Sequence, residues 1–276
     1  MGSGLKITTN PGAITAVRNL RRTGNALHRA VDRLSSGKRL NSVADDAAAM
    51  GVTENMRAQR RGYQQALRNA SDGVAMVQTA EAGYQSLSDT LVRMRELAVE
   101  AANGTLSDVE RGYLNAEFAE LITEIDRVAS VTQYNNVNLL DGSAATLTFQ
   151  VGARNAAQNQ IDITFNDQRA TELGIDDDNV STTTGAQLAV SEIDTALDSL
   201  NTDRASLGAK VSRLNLAMND ISSTITNYGQ AIGNMRDADL GTESGELARQ
   251  QVLQAAGIAM LLQAHANTGM ALRLLR

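Results

Sequence analysis

The side chains best suited to catalysis or metal binding are few and scattered in this chain of 276 residues. The two histidines, His28 and His265, lie near opposite ends, and neither belongs to a His-Glu-x-x-His motif or a similar ligand pattern. Asp176, Asp177 and Asp178 form an acidic run, but it lacks the spaced oxygen ligands and closing glutamate of a calcium loop. No cysteine, glycine-rich phosphate loop or nucleophile elbow is present. The sequence therefore predicts no enzyme, cofactor or metal site. It places the histidines on packed or solvated helix faces and the aspartates in a solvated loop.

Charge is distributed unevenly, although the net charge is only −6. The first predicted helix and the segment after it carry one acid, Asp32, against the basic residues Arg18, Arg21, Arg22, Arg29, Arg33, Lys38 and Arg39. Between Arg169 and Arg204 the balance is reversed, with eight acids and no basic residue. A basic arm can bind phosphates, but this one has no aromatic residue to stack on a base, so nucleic-acid binding is not expected. The two regions are either solvated faces or surfaces that meet between neighbouring copies.

The elements that carry these residues are mainly long helices. From Ile193 to Met235, apolar residues recur every three or four positions for six heptads, and only Arg204 interrupts the series. A second series runs from Leu67 to Ala101. Because an apolar stripe of this length requires a partner helix, the two segments are predicted to pack together. The predicted fold class is mainly α, with a long rod of coiled-coil helices.

Capping signals predict where the helices begin. Asn10-Pro11 begins the first helix, since asparagine caps and proline suits the first turn. Ser42 with Asp45, and Ser107 with Glu110, have the spacing of capping boxes. Thr184 with Gln187 is predicted to cap the long helix in the same way.

Turn residues predict where the helices end. Ser35-Ser36-Gly37 ends the first helix and Asn103-Gly104 ends the second, which extends to about Ala102. A break at residues 236–241 precedes a last helix from about Glu246 to Leu275. Between these helices, residues 147–151 and 161–165 alternate apolar and polar types, so they predict a β-hairpin at about 146–165. Residues 166–185 are predicted to form a loop.

The terminal helices differ from the central ones. The first 62 residues and the last 48 contain no aromatic side chain, so these ends are poorly equipped to fold alone. Apolar residues surround much of the last helix, and such a helix must be buried on all sides. The cover is predicted to come from other copies, through Val17, Leu20, Leu27, Val31, Leu34, Leu253, Ile258, Leu261, Leu262, Leu272 and Leu275. Residues 250–272 are uncharged but interrupted by glutamines, so membrane insertion is not expected, and no signal peptide is visible.

Several sequence blocks resemble bacterial flagellin. The block from Arg33 to Ala48, which begins Arg-Leu-Ser-Ser-Gly-Lys-Arg-Leu-Asn, is similar to the N-terminal signature of that family. The blocks Arg68 to Glu81 and Met94 to Asn103 are similar to the next two. Leu207-Gly-Ala, Asp237-Ala-Asp and the block Val252 to Gly257 resemble the C-terminal region. The resemblance covers residues 5–165 and 186–276, and the outer domains that large flagellins insert after the hairpin are expected to be missing.

The resemblance implies a secreted protein of the extracellular bacterial flagellum that polymerises into the filament for swimming. It implies residues 1–42 and 237–276 as a terminal helical domain whose helices pair in an inner coiled coil. It also implies residues 43–236 as an outer rod with the hairpin, and 166–185 as a residual variable loop. The implied partners are other copies of the chain, an export chaperone of the flagellar type III channel, and the cap and hook-junction proteins. A hook–filament junction protein shares this plan and is the alternative interpretation.

The resemblance also implies a host partner. Flagellins that are sensed by the animal Toll-like receptor for flagellin present an arginine, a leucine and a glutamate, which correspond to Arg93, Leu97 and Glu117 here. Arg93 and Leu97 are four residues apart and so share a helix face. Both are predicted to be exposed, beside the buried stripe of Leu91, Met94 and Ala98, although all three could equally be ordinary surface or subunit-contact residues.

Overall fold

A computed structural model describes residues 10–144 and 146–274, with side chains described up to residue 266. The chain forms two compact units. One contains the described residues up to Ala58 and those from Asn227 onward, and the other contains Gln59–Thr226. The terminal unit therefore includes the start of the second helix and the end of the long helix, which the sequence interpretation assigned to the rod. The boundaries at residues 42 and 237 that the sequence suggests remain a prediction.

The helices account for most of the described chain. They are α1 (Pro11–Ser36), α2 (Ala47–Ala101), α3 (Asp108–Val131), the short α4 (Ala170–Leu173), α5 (Thr183–Arg236) and α6 (Leu240–Leu274). The predicted ends of α1 are confirmed: the Asn10 side chain accepts a hydrogen bond from the Ala13 N–H, and Gly37 ends the helix with a left-handed φ of 67°. The capping box of α3 is also confirmed, since Ser107 and Glu110 each accept a hydrogen bond from the other's backbone N–H.

Three predicted helix starts were wrong by two to six residues. Ser42 and Asp45 do interact, but they close a turn, and α2 begins only at Ala47, where Asp46 caps the N–H of Ala49. The long helix α5 is capped by Thr182, whose hydroxyl accepts from the Gly185 N–H, and not by Thr184. The last helix begins at Leu240, earlier than Glu246. The side chains that cap these helices are Asp46, Thr182 and Asp239, and each lies before the residue at which the structure begins the helix.

The Gln59–Thr226 unit is built around the predicted pairing of α2 with α5. Its apolar core also includes α3 and residues from the β-hairpin, and its largest fully buried side chains include Tyr84, Phe118 and Phe165. Arg204, which interrupts the apolar series of α5, donates to Glu81 of α2 at 2.6 Å. The exception to the pattern is thus an ion pair at the edge of the helix–helix contact, where the charge keeps contact with water.

The predicted hairpin consists of β3 (Thr146–Gln150) paired antiparallel with β4 (Gln160–Thr164). A smaller hairpin precedes it, with β1 (Gln133–Tyr134) and β2 (Val137–Asn138), and was not predicted. Its two turn residues, Asn135 and Asn136, both have positive φ, which tight two-residue hairpins require. The predicted loop 166–185 contains α4 and the first residues of α5, and it leaves no room for an inserted outer domain.

Candidate functional site

The terminal unit pairs α1 with α6 in antiparallel directions. At one end, the Asn10 Nδ2 donates to the Ala264 carbonyl at 2.9 Å. Midway, Leu20 Cδ1 lies 3.3 Å from where a Cβ on Gly257 would stand, so the glycine lets the helices approach closely. At the other end, Arg33 pairs with Glu243 at 3.2 Å. These three contacts define the register between the two helices.

The seam between these helices is narrow. Ala13, Ala30 and Gln250 are buried in it, and Leu20, Leu27, Leu34 and Leu261 are half-buried. Two alanines and one glutamine contribute little apolar area, so burial in this seam offsets only part of the entropy lost when α1 and α6 are ordered. The seam includes four of the residues predicted to act in assembly.

Most of the remaining predicted assembly residues are exposed, either away from this seam or in the groove at its edge. Val17, Val31, Leu253, Ile258 and Leu262 are exposed, as are their neighbours Ile14, Val252 and Met260. The side chains of Leu272 and Leu275 lie outside the described residues. Within the described chain nothing covers this surface, which we call the terminal apolar surface. Apolar clusters of this kind mark sites of protein–protein contact.

Two grooves lie along the N-terminal half of α1. The first, about 610 Å³, lies between α1 and α6 and is lined mainly by apolar and small residues, among them Ala16, Leu20, Leu253, Gly257 and Met260. The second, about 480 Å³, has a basic lining of Arg18, Arg21 and Arg22 beside His265 and the apolar Ile14 and Val17.

Arg18, Arg21 and Arg22 form no ion pair within the described residues, whereas Arg33 pairs with Glu243. This pattern is consistent with the prediction that the basic arm is either solvated or meets an acidic surface of another copy.

The segment after α1 holds the junction between α5 and α6. The backbone N–H groups of Arg39 and Leu40 both donate to the Arg236 carbonyl, at 2.7 and 3.4 Å, and the Arg39 guanidinium donates to the Met235 carbonyl at 2.6 Å. In return, the Ala238 N–H donates to the Gly37 carbonyl at 3.0 Å. Sequence reasoning missed this clamp, because nothing local relates residues two hundred positions apart. The only signal was the family block that begins at Arg33.

The structure corrects the expected receptor-contact surface. Arg93 and Glu117 are brought together, with Arg93 Nη2 and Nε donating to Glu117 at 2.7 and 3.0 Å, and these hydrogen bonds raise the pKa of Arg93. Leu97, however, is only 1% exposed, so the prediction of an exposed leucine was wrong. Arg93 faces α3 through Glu117, and Arg95 faces α5 through Asp194. Leu97 is part of the apolar core that α2 shares with α3 and α5.

The acidic loop contains one unusual carboxyl group. Asp176 and Asp177 are exposed as predicted, but Asp178 is half-buried, and its Oδ2 has no hydrogen-bond partner. Burial, together with the neighbouring Glu192 and Asp176, raises the pKa of Asp178 to about 8, so at neutral pH it holds a proton between acidic neighbours.

No group of three or more metal-ligating side chains occurs in the part of the chain that the structure describes. No helix in that part is long and apolar enough to span a bilayer.

Comparison with known proteins identifies the family. A family model described as the bacterial flagellin N-terminal helical region matches residues 7–145, and one described as the C-terminal helical region matches residues 190–275. The chain is 37% identical over 270 residues to a flagellin of Halalkalibacterium halodurans, and the match covers 98% of this chain and 99% of that protein.

Solved structures agree with this result. The crystal structure of Bacillus cereus flagellin is 29% identical with a TM-score of 0.50, and the match covers 60% of this chain and 94% of that one. A putative flagellar hook-associated protein from Vibrio parahaemolyticus is 16% identical with a TM-score of 0.58, over 70% of this chain and 100% of that one, and therefore shares the fold alone. The family resemblance read from the sequence blocks is confirmed by both terminal regions together. The chain belongs to the bacterial flagellin family.

Proposed function

We propose that copies of this chain polymerise into the bacterial flagellar filament through the terminal apolar surface. The observation that carries the proposal is that α1 and α6 cover only one side of each other. The eight large apolar side chains of the terminal apolar surface are exposed: Ile14, Val17, Val31, Val252, Leu253, Ile258, Met260 and Leu262. Burying a side chain of this kind contributes roughly 1.5–3 kcal/mol, so a second copy that covers several of them gains substantial free energy. The family is structural, and the chain is a filament subunit and not an enzyme.

Growth of filaments from seeds tests the role of this surface. Leu262→Asp places a charge on α6, where the leucine is 65% exposed, and Leu216→Asp makes the same change on α5, where the leucine is 67% exposed. Since both leucines are exposed, neither change should alter the circular dichroism of the free chain. We expect filament growth to stop with Leu262→Asp and to continue with Leu216→Asp. Equal growth, or equal loss, would contradict the assignment of assembly to the terminal helices.

Family membership also suggests partners other than copies of the chain, and we include these in the proposal. The subunit leaves the cell through the flagellar type III channel with an export chaperone, and is added beneath the cap onto hook-junction proteins. It functions outside the cell. The junction-protein alternative is less well supported, because the hook-associated structure resembles this chain in fold only.

For the Toll-like receptor, we propose that contact is made by Arg93 and Glu117, without the buried Leu97. Both charged residues are half-exposed and already hold each other in a defined geometry. Glu117→Ala should weaken activation of receptor-bearing reporter cells by the free chain. Asp194→Ala is a matched control, since it removes another half-exposed acid that is paired with an arginine of α2. An equal effect of both substitutions, or no effect of either, would refute the proposed contact.

A further inference from the structure

Among the methionines whose side chains the structure describes, Met260 is the one that is exposed. It is 66% exposed, whereas Met94 is fully buried and Met76 nearly so, and the others in the described residues are half-buried. It lies one helical turn after Gly257, the residue of α6 that approaches Leu20 of α1, and it lines the 610 Å³ groove between these helices. The thioether is therefore accessible in the free subunit and lies within the terminal apolar surface.

We propose that Met260 is an oxidation site that controls whether a subunit can join a filament. The reaction requires a hydroperoxide: the sulfur attacks one peroxide oxygen, the O–O bond breaks, and the sulfur becomes a sulfoxide. With hydrogen peroxide the sulfur is oxidised by two electrons and the peroxide is reduced to water. Exposed methionines react in this way more readily than buried ones, and dedicated reductases reverse the change.

The consequence for assembly follows from where the new oxygen lies. A sulfoxide oxygen is a strong hydrogen-bond acceptor that water satisfies in the free subunit. When another copy covers the groove, this oxygen loses water, and burial of an unsatisfied polar group is unfavourable. Oxidation thus changes an apolar side chain of the assembly surface into a polar one, while the Gln59–Thr226 unit is untouched. Because the same contact covers the sulfur in the filament, a subunit that has already assembled is protected.

The inference rests on the proposed assembly surface, and a competition experiment tests it in the full chain. Free subunits are partially oxidised with hydrogen peroxide, seeds are added, and filaments are separated from soluble protein. Peptide mass spectrometry then measures the sulfoxide fraction at Met260 in each pool, with the half-buried Met218 as an internal control. We expect about tenfold depletion of Met260 sulfoxide from the filament pool, and no depletion at Met218. Treatment with a methionine sulfoxide reductase should restore growth.

Two variants and one further measurement sharpen the result. Met260→Leu keeps an apolar side chain that peroxide does not oxidise, so its growth should survive treatment that slows the wild type. Met260→Gln introduces a permanent polar group and should grow slowly without peroxide. If Met260→Leu fails to assemble even without peroxide, the competition between oxidised and unoxidised wild-type subunits still tests the inference. Preformed filaments should show slower oxidation at Met260 than free subunits.

Several outcomes would overturn the inference. Equal Met260 sulfoxide in both pools, or equally fast oxidation of Met260 and Met94, would do so. Failure of untreated wild-type subunits to extend seeds would instead count against the proposed function. Normal growth of untreated protein with no discrimination against Met260 sulfoxide would refute the oxidation site alone.

Discussion

Arg111 is a buried residue near the start of α3, and its side chain hydrogen-bonds to the backbone at the end of α2. Its Nε donates to the Ala101 carbonyl at 2.9 Å, its Nη2 to the Asn103 carbonyl at 3.3 Å, and its Nη1 to Asp108 at 3.0 Å. The last carbonyls of a helix have no partner within the helix, and at a buried end another group must satisfy them. One side chain therefore ties the end of α2 to the start of α3.

Replacement by alanine removes all three interactions. A hydrogen bond to a charged group contributes about 1.5–3 kcal/mol, and leaving a buried carbonyl unsatisfied is comparably costly. The pair with Asp108 adds little, since that carboxylate is 93% exposed. Because the Nη2 bond is long, we count the Ala101 bond in full and the Asn103 bond in part, which suggests a loss of about 2–4 kcal/mol. For a unit of this size the midpoint of thermal unfolding should fall by roughly 5–15 °C.

Thermal unfolding of the full chain, followed by circular dichroism, measures this effect. Arg111→Lys should be intermediate, because lysine keeps the charge but cannot reach two carbonyls with a planar fork. Arg95→Ala is the control, since it removes an exposed arginine from the same helix bundle and should change the midpoint little. If Arg111→Ala unfolds at the same temperature as Arg95→Ala, the argument that this side chain closes α2 is wrong.

Three further predictions concern the helix ends and the acidic loop. Deletion of residues 261–276 should abolish filament growth and leave the circular dichroism of the central helices, because it removes apolar residues of α6 only; growth at the wild-type rate would contradict this. Limited proteolysis should trim α1 and α6 from the free chain and spare them in filaments, since their shared seam is narrow, and equal protection in both states would count against it. The raised pKa of Asp178 means that the folded state binds more protons than the unfolded state between the ordinary value of 3.8 and about 8, so stability should fall as pH rises through that window. Asp178→Asn should flatten this fall in unfolding midpoints measured from pH 5 to 9, whereas parallel profiles of variant and wild type would show that the carboxyl is not responsible.

Local signals in the sequence determined a large part of this fold. The N-cap and C-cap of α1 and the capping box of α3 are formed by residues within four positions of one another, so their geometry depends on little else. The apolar period of α5 and the alternation in β3 and β4 also identify an element from its own residues. The assembly surface followed partly from the sequence for the same reason, because a helix that is apolar on most sides requires cover from outside.

The tertiary structure alone decided which competing local signal was used and which faces were covered. Leu97 shares a face with Arg93 in any helix, but it is buried because it is part of the apolar core that α2 shares with α3 and α5. The clamp of Arg39 on the Arg236 carbonyl joins residues with no local relation, and Asp178 has an unusual pKa because the fold buries it and brings it to Glu192. A periodic pattern shows that a side chain needs burial or a partner. It does not show how many elements will meet there, because that depends on packing between segments far apart in the chain.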